Sequence, residues 1–187
     1  MAADAAASAP RRKRDAAASR ARLLAAAAEL FDAHGYDGTT SREIGERAGV
    51  DPAMIARYFG GKAQLYVAVL QAESARPVDI LDRDRLADIC SRALRRGPGP
   101  VLRVAIADIG DPTARTAASE ELRRRIVDPL RDRLAGGDQA DADLRAEIIT
   151  AAVTGILAAH RQQQLPHLAT ASADDIIAIV TAMIGAT

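Results

Sequence analysis

Residues 39–62, TTSREIGERAGVDPAMIARYFGGK, constrain this chain more than any other stretch. Thr40 followed three residues later by Glu43 is a capping box. It predicts a helix that starts there and ends at Ala48, with Gly49 free to take positive φ. Asp51 is placed to cap a second helix, and Pro52 falls in its first turn, where a missing N–H costs nothing. Gly60 and Gly61 stop that helix. Isolated helices below about 12 residues are marginal in water, so two this short need shared packing. Ile44 and Ala48 on the first helix, Val50 in the turn and Ile55 on the second can bury a small common core. Ala48 lets the axes cross closely and Gly49 permits the sharp turn. The pattern is that of a helix-turn-helix.

Flanking segments supply the remaining support. Leu23, Ala27, Leu30 and Phe31 recur on one helical face from about residue 16 to Gly35. A further helix begins near Lys62 and carries Leu65, Tyr66, Val69 and Leu70. Beyond Ala75 no strand pattern emerges. Helices are predicted near 84–96, 100–109, 114–134, 141–162 and 173–185, separated by GPGP (97–100), GDP (110–112), GGD (136–138) and Pro166. Pro129 should kink or split the 114–134 helix. The predicted fold class is all-α: a basic arm at 1–15, a three-helix unit at 16–62 that contains the helix-turn-helix, and a helical unit at 63–187.

Charge and composition narrow the function. The 187 residues carry 25 basic and 25 acidic side chains, which argues against a blanket coat on nucleic acid. Within residues 1–22, however, six basic residues face two acidic ones, a local positive end suited to DNA. The single cysteine, Cys90, cannot form an internal disulfide and reads as a small buried hydrophobe. No secretory or membrane-spanning pattern is evident, so a cytoplasmic location is expected. GGKA at 60–63 lacks the first glycine and the Ser/Thr of a phosphate loop, Ala56 and Ala63 standing there instead. No catalytic motif, cofactor motif or metal-ligand spacing is found. His160 and His167 are seven apart without a third ligand.

On the second short helix, assigning Ile55 inward leaves Ala53, Met54 and Arg57 outward. Arginine can grip a guanine edge with two hydrogen bonds, and Ala or Met can touch a thymine methyl. Arg42 opens the preceding helix, within reach of a base or a phosphate. Thr40, Tyr58 and Lys62 offer hydroxyl and ammonium groups suited to phosphate oxygens, and Lys62 sits at a helix start. The expected partner is the major groove of double-stranded DNA. RRKR at 11–14 can lie along phosphates, dip into a minor groove, or remain a solvated tail.

These pieces resemble the TetR family of transcriptional regulators. LLAAAAELFDAHGYDGTTSREIGERAGVDPAMIARYFGGKAQL, residues 23–65, is similar to its N-terminal helix ending in GY…TT, its helix-turn-helix and its aromatic-Phe-x-x-Lys ending. The resemblance implies an N-terminal DNA-binding domain, a C-terminal ligand-binding and dimerisation domain, and repression relieved by a small molecule. By position, Thr40, Tyr58 and Lys62 correspond to phosphate contacts, and Arg42, Ala53, Met54 and Arg57 to residues facing bases or backbone. Many members have Tyr where this chain has Ala56, which implies a missing contact there.

All five aromatic residues lie within the first 66, so a pocket in the remaining 121 cannot stack a ligand on an aromatic ring. An aliphatic or mixed-polarity effector is expected, with Val104, Ile106, Ile109, Ile126, Ile149, Val153 and Ile156 as candidate lining. Ile148, Ala152, Gly155 and Ala159, with Ile176, Ile177, Val180 and Ile184, form an expected homodimer face. Two recognition helices would then read a palindromic operator. The alternative is a dimeric architectural DNA binder or protein-interaction module that takes no ligand.

Overall fold

The computed structural model describes residues 3–72, 82–134 and 139–185. Among the described residues the regular elements are helices. They divide into two compact units: residues 1–72 with 109–115, and residues 73–108 with 116–187.

The first unit holds α1 (Ala3–His34), α2 (Ser41–Ala48), α3 (Ala53–Phe59) and α4 (Lys62–Ala72). Helix α1 begins at Ala3 rather than near residue 16. Alanine, the best helix former, dominates this segment and lets the helix run on through it. On α1, Leu23, Ala27 and Phe31 are buried as their spacing predicts, with Leu30 half-buried. Phe31, Tyr36 and Tyr66 form an aromatic cluster, with Phe31–Tyr66 at 5.0 Å and Tyr36–Tyr66 at 5.2 Å between centroids. Thr39, fully buried beside it, donates its hydroxyl to the carbonyls of Gly35 and Leu30. That ties the entry of α2 to the end of α1 and pairs the buried Thr39 hydroxyl.

The turn between α2 and α3 follows the predicted chemistry. Thr40 caps α2 and Gly49 is left-handed at φ 60°. Ile44, Ala48 and Ile55 are buried, whereas Val50 is half-buried. The close crossing depends on Gly45 rather than on Ala48 alone. A Cβ at residue 45 would stand 2.6 Å from Pro52 Cγ and 2.8 Å from the Val50 carbonyl oxygen.

The second unit contains α5 (Arg83–Arg96), α6 (Pro100–Arg103), α8 (Asp128–Leu134), α9 (Gln139–Gln162), α10 (Pro166–Thr170) and α11 (Ala173–Gly185). It also takes residues 116–122 of α7 (Pro112–Leu122). Helix α6 is shorter than predicted and passes into a 3₁₀ turn, Val104–Ile106. Pro129 does interrupt the 114–134 helix, through a π turn at Arg123–Val127 just before it. Proline lacks an N–H and crowds the carbonyl four residues back, so the wider turn accommodates it without ending the helix direction. Pro166 starts the short helix α10 instead of only breaking the chain, since proline suits a first turn. GGD at 136–138 lies outside the described residues. Cys90 is buried beside Ile89 and Ala93, and burial pushes its thiol pKa up.

Candidate nucleic-acid interface

The geometry at the start of α2 is set by hydrogen bonds. Thr40 Oγ1 accepts from Glu43 N at 3.2 Å and donates to Glu43 Oε2 at 2.7 Å, while Thr40 N donates to the same carboxylate oxygen at 2.7 Å. The Thr40 side-chain hydrogen bond, then the one from its backbone, hold the Glu43 carboxyl below its usual range. Arg42 is exposed and its Nε donates to Glu46 Oε1 at 2.8 Å, an i,i+4 pair that aims the guanidinium along α2. Arg47 donates to Glu29 at 2.6 Å and binds α2 to α1.

Helix α3 is short but fixed at both ends. Asp51 Oδ1 accepts from Ala53 N at 2.9 Å, which satisfies a free helix-start donor. Gly60 and Gly61 take φ of 89° and 129° after its last turn. Between them Ile55 is buried, leaving Ala53, Ala56 and Arg57 exposed and Met54 and Tyr58 half-buried. The Arg20 guanidinium of α1 stacks over the Phe59 ring at 4.6 Å from its centroid, a brace on the last turn of α3.

Lys62 opens α4 and is half-buried. Its Nζ lies 4.1 Å from the centroid of the Tyr36 ring. Burial lowers its pKa, against the pull of Asp37, Asp111 and Glu43. The Tyr36 hydroxyl donates to Asp111 Oδ2 at 3.0 Å, and Asp111 Oδ1 accepts from the N–H groups of Thr113 and Ala114. Asp37 Oδ2 accepts from Gly110 N at 2.8 Å. Burial, then the Asp111 hydrogen bond, push the Tyr36 phenol up, whereas the Ala114 N–H and next the Tyr36 hydroxyl hold the Asp111 carboxyl down. Tyr36, Asp37, Lys62, Ala63, Gln64, Asp111 and Thr113 line an open polar recess of about 540 Å³.

The seven sequence-derived DNA candidates therefore all fall within the first unit. Ala53, Met54 and Arg57 lie on α3 with Tyr58 in its last turn, Thr40 and Arg42 at the start of α2, and Lys62 at the start of α4. Three partners were not legible in the sequence. Arg20 sits on a helix face whose register against Phe59 is a tertiary matter. Asp111 lies 75 residues from Tyr36, a separation that no local pattern spans. Asp37 carries no motif signal of its own.

The effector candidates disperse. Ile149, Val153 and Ile156 line one apolar groove of about 240 Å³ on α9 and α11, with Arg145, Ile148, Ala152, Val180 and Met183. Val104 lies in the 3₁₀ turn, Ile126 is fully buried in the π turn and Ile109 belongs to the first unit. Ile106 is exposed. The dimer face expected on α11 also needs correction. Ile176, Ile177 and Val180 are buried within the chain, because this register of α11 packs on α5. Among the described residues its large exposed apolar side chains are instead Ile179 and Met183, while Ile148 and Ala152 on α9 are exposed as expected. The Ile184 side chain lies outside the described residues. His160 is half-buried and His167 exposed, and among the described residues no three potential metal ligands cluster.

A helix-turn-helix unit followed by a separate helical unit defines a class of bacterial regulators, and comparison places the chain within it. Residues 23–69 match the model for bacterial regulatory proteins of the tetR family, and residues 84–187 match a tetracyclin repressor-like C-terminal domain. The chain belongs to the tetR family. A transcriptional repressor of Mycobacterium tuberculosis is 34% identical over 131 residues, 70% of this chain and 65% of that protein. The chain thus spans just under two thirds of that relative's length. The transcriptional activator FasR of Mycolicibacterium smegmatis is 44% identical over 52 residues, 28% of this chain and 24% of its own. The fatty acid degradation regulator FadR from Bacillus halodurans superposes with a TM-score of 0.62 at 14% identity, covering 87% of this chain and 96% of that one. That likeness speaks for the fold alone. Among the described residues no helix is long and apolar enough to cross a membrane.

Proposed function

We propose that the chain is a sequence-specific DNA-binding transcriptional regulator that acts in the cytoplasm as a homodimer on a palindromic operator. The observation that carries this reading is α3: Ile55 is anchored inward while Arg57 and Ala53 stand exposed on a helix fixed by Asp51 and two glycines. A rigid, short helix with an outward arginine suits a major groove. Thr40, Arg42, Tyr58 and Lys62 then surround it as contacts to the DNA backbone. The Thr40 hydroxyl proton is directed to Glu43 in this structure, so a phosphate contact by that hydroxyl requires it to turn.

The second copy of the chain is proposed to seat on α9 and α11. Ile148, Ile179 and Met183 are exposed apolar residues on those helices, and the adjoining groove is lined almost wholly by aliphatic side chains. Ile149, Val153 and Ile156 line that same groove, so they serve the dimer better than an effector. For the output we favour repression, as in the M. tuberculosis relative, relieved by an aliphatic or mixed-polarity small molecule. Selection of bound duplexes from a random pool tests the reading. A palindromic consensus supports it, and no enrichment from folded dimer favours the ligand-free architectural alternative.

A further inference from the structure

We infer that Asp111, held in place by Tyr36, competes with a DNA phosphate for the Lys62 ammonium, and so sets the strength of DNA binding without touching DNA. The inference rests on the proposal that Lys62 contacts a phosphate. Among the described residues Lys62 makes no ion pair; its ammonium lies over the Tyr36 ring, at 4.1 Å from the centroid. The hydroxyl of that same ring holds Asp111 at 3.0 Å. Two N–H groups at the start of α7 fix the other oxygen of Asp111, at 2.9 and 3.1 Å. Asp37 lines the same recess and is likewise tied down, by the Gly110 N–H.

The consequence follows from Coulomb's law. Two carboxylates share an open recess with a single ammonium, so the recess draws the ammonium inward and repels an approaching phosphate. Neither carboxylate can turn away cheaply, because each is held by backbone N–H donors. An unconstrained surface aspartate would swing off and be screened; this one is positioned. Sequence reading gave Lys62 as a simple phosphate ligand, whereas the structure surrounds it with its own counter-charge.

The test is a double-mutant cycle on the full chain, with binding measured on a fixed duplex over a range of salt. Asp111→Asn keeps the helix-capping oxygen and removes the charge. It is expected to tighten binding about three- to tenfold at low salt, an effect that shrinks as salt rises. The same substitution in a Lys62→Ala background is expected to lose most of that gain, which a general structural role of Asp111 would not do. Tyr36→Phe keeps the ring under Lys62 and removes one hydrogen bond to Asp111 while its two backbone N–H donors remain, and should change binding by a smaller factor than Asp111→Asn. Unchanged or weaker binding in Asp111→Asn overturns the inference, as does a gain that persists without Lys62. If Lys62→Ala alone leaves binding unchanged, the phosphate assignment fails and takes the inference with it. A weakened Lys62→Ala beside a neutral Asp111→Asn overturns the inference alone.

Discussion

Arg57 and Lys62 lie five positions apart in sequence but in different surroundings: one is exposed, the other is half-buried and rests on a ring beside two carboxylates. They should respond differently to removal. Arg57→Ala is expected to relax preference at one base position, at a cost of roughly 1–3 kcal/mol if its contact is bidentate. Competition binding against single-base variants of the operator checks this, and unchanged preference would move Arg57 to the phosphate group. Lys62→Ala should weaken all duplexes alike and lower the slope of log affinity against log salt by about one. Gly45 belongs to this scale too. Gly45→Ala gains helix propensity but drives a Cβ into Pro52 and the Val50 carbonyl. Overpacking of this kind costs roughly 1–3 kcal/mol, so urea denaturation should show a net loss of stability.

At the scale of elements, the capping box of α2 makes a prediction about acid. Hydrogen bonds from Thr40 hold the Glu43 carboxyl below its usual range. A carboxyl depressed on folding contributes stability above its unfolded pKa, about 4.3, and that contribution is lost as pH falls through the lower folded value. Loss of the cap in Thr40→Ala should cost about 1 kcal/mol at neutral pH, and the part of it that depends on the Glu43 carboxylate should fade in acid, read by thermal melts across that window. The same element shows what the sequence could tell. The α2 start, the Gly49 turn, the α3 stop and the inward Ile55 are all local, so spacing and turn chemistry were enough to place them. The α11 face was misread because Ile176, Ile177, Ile179, Val180 and Met183 offer more apolar positions than one face can hold. Which of them face α5 depends on packing that no local spacing specifies. The π turn before Pro129 was legible as an interruption, but its form depended on how the surrounding helices accommodate it. The Tyr36–Asp111 bond was illegible for the plainest reason, its sequence separation.

At the scale of the whole molecule, recognition of DNA by one seven-residue helix is thin, and a second copy on a two-fold axis would double it. The exposed aliphatic side chains on α9 and α11 give that copy a place. Ile148→Glu together with Met183→Glu, both at exposed positions, should leave the fold intact while shifting the chain to a monomer in sedimentation experiments. Burying a carboxylate without a partner at such an interface is costly, so a dimer that persists would move the interface elsewhere.

On the reading proposed above, this chain reads DNA sequence through α3. The most direct test is selection of bound duplexes from a random pool by the purified protein at near-physiological salt. The expected result is a palindromic consensus whose half-sites lie about one helical turn or a multiple of it apart, and whose information at one position falls when Arg57 is replaced by Ala. A folded, dimeric protein that enriches no sequence would contradict it.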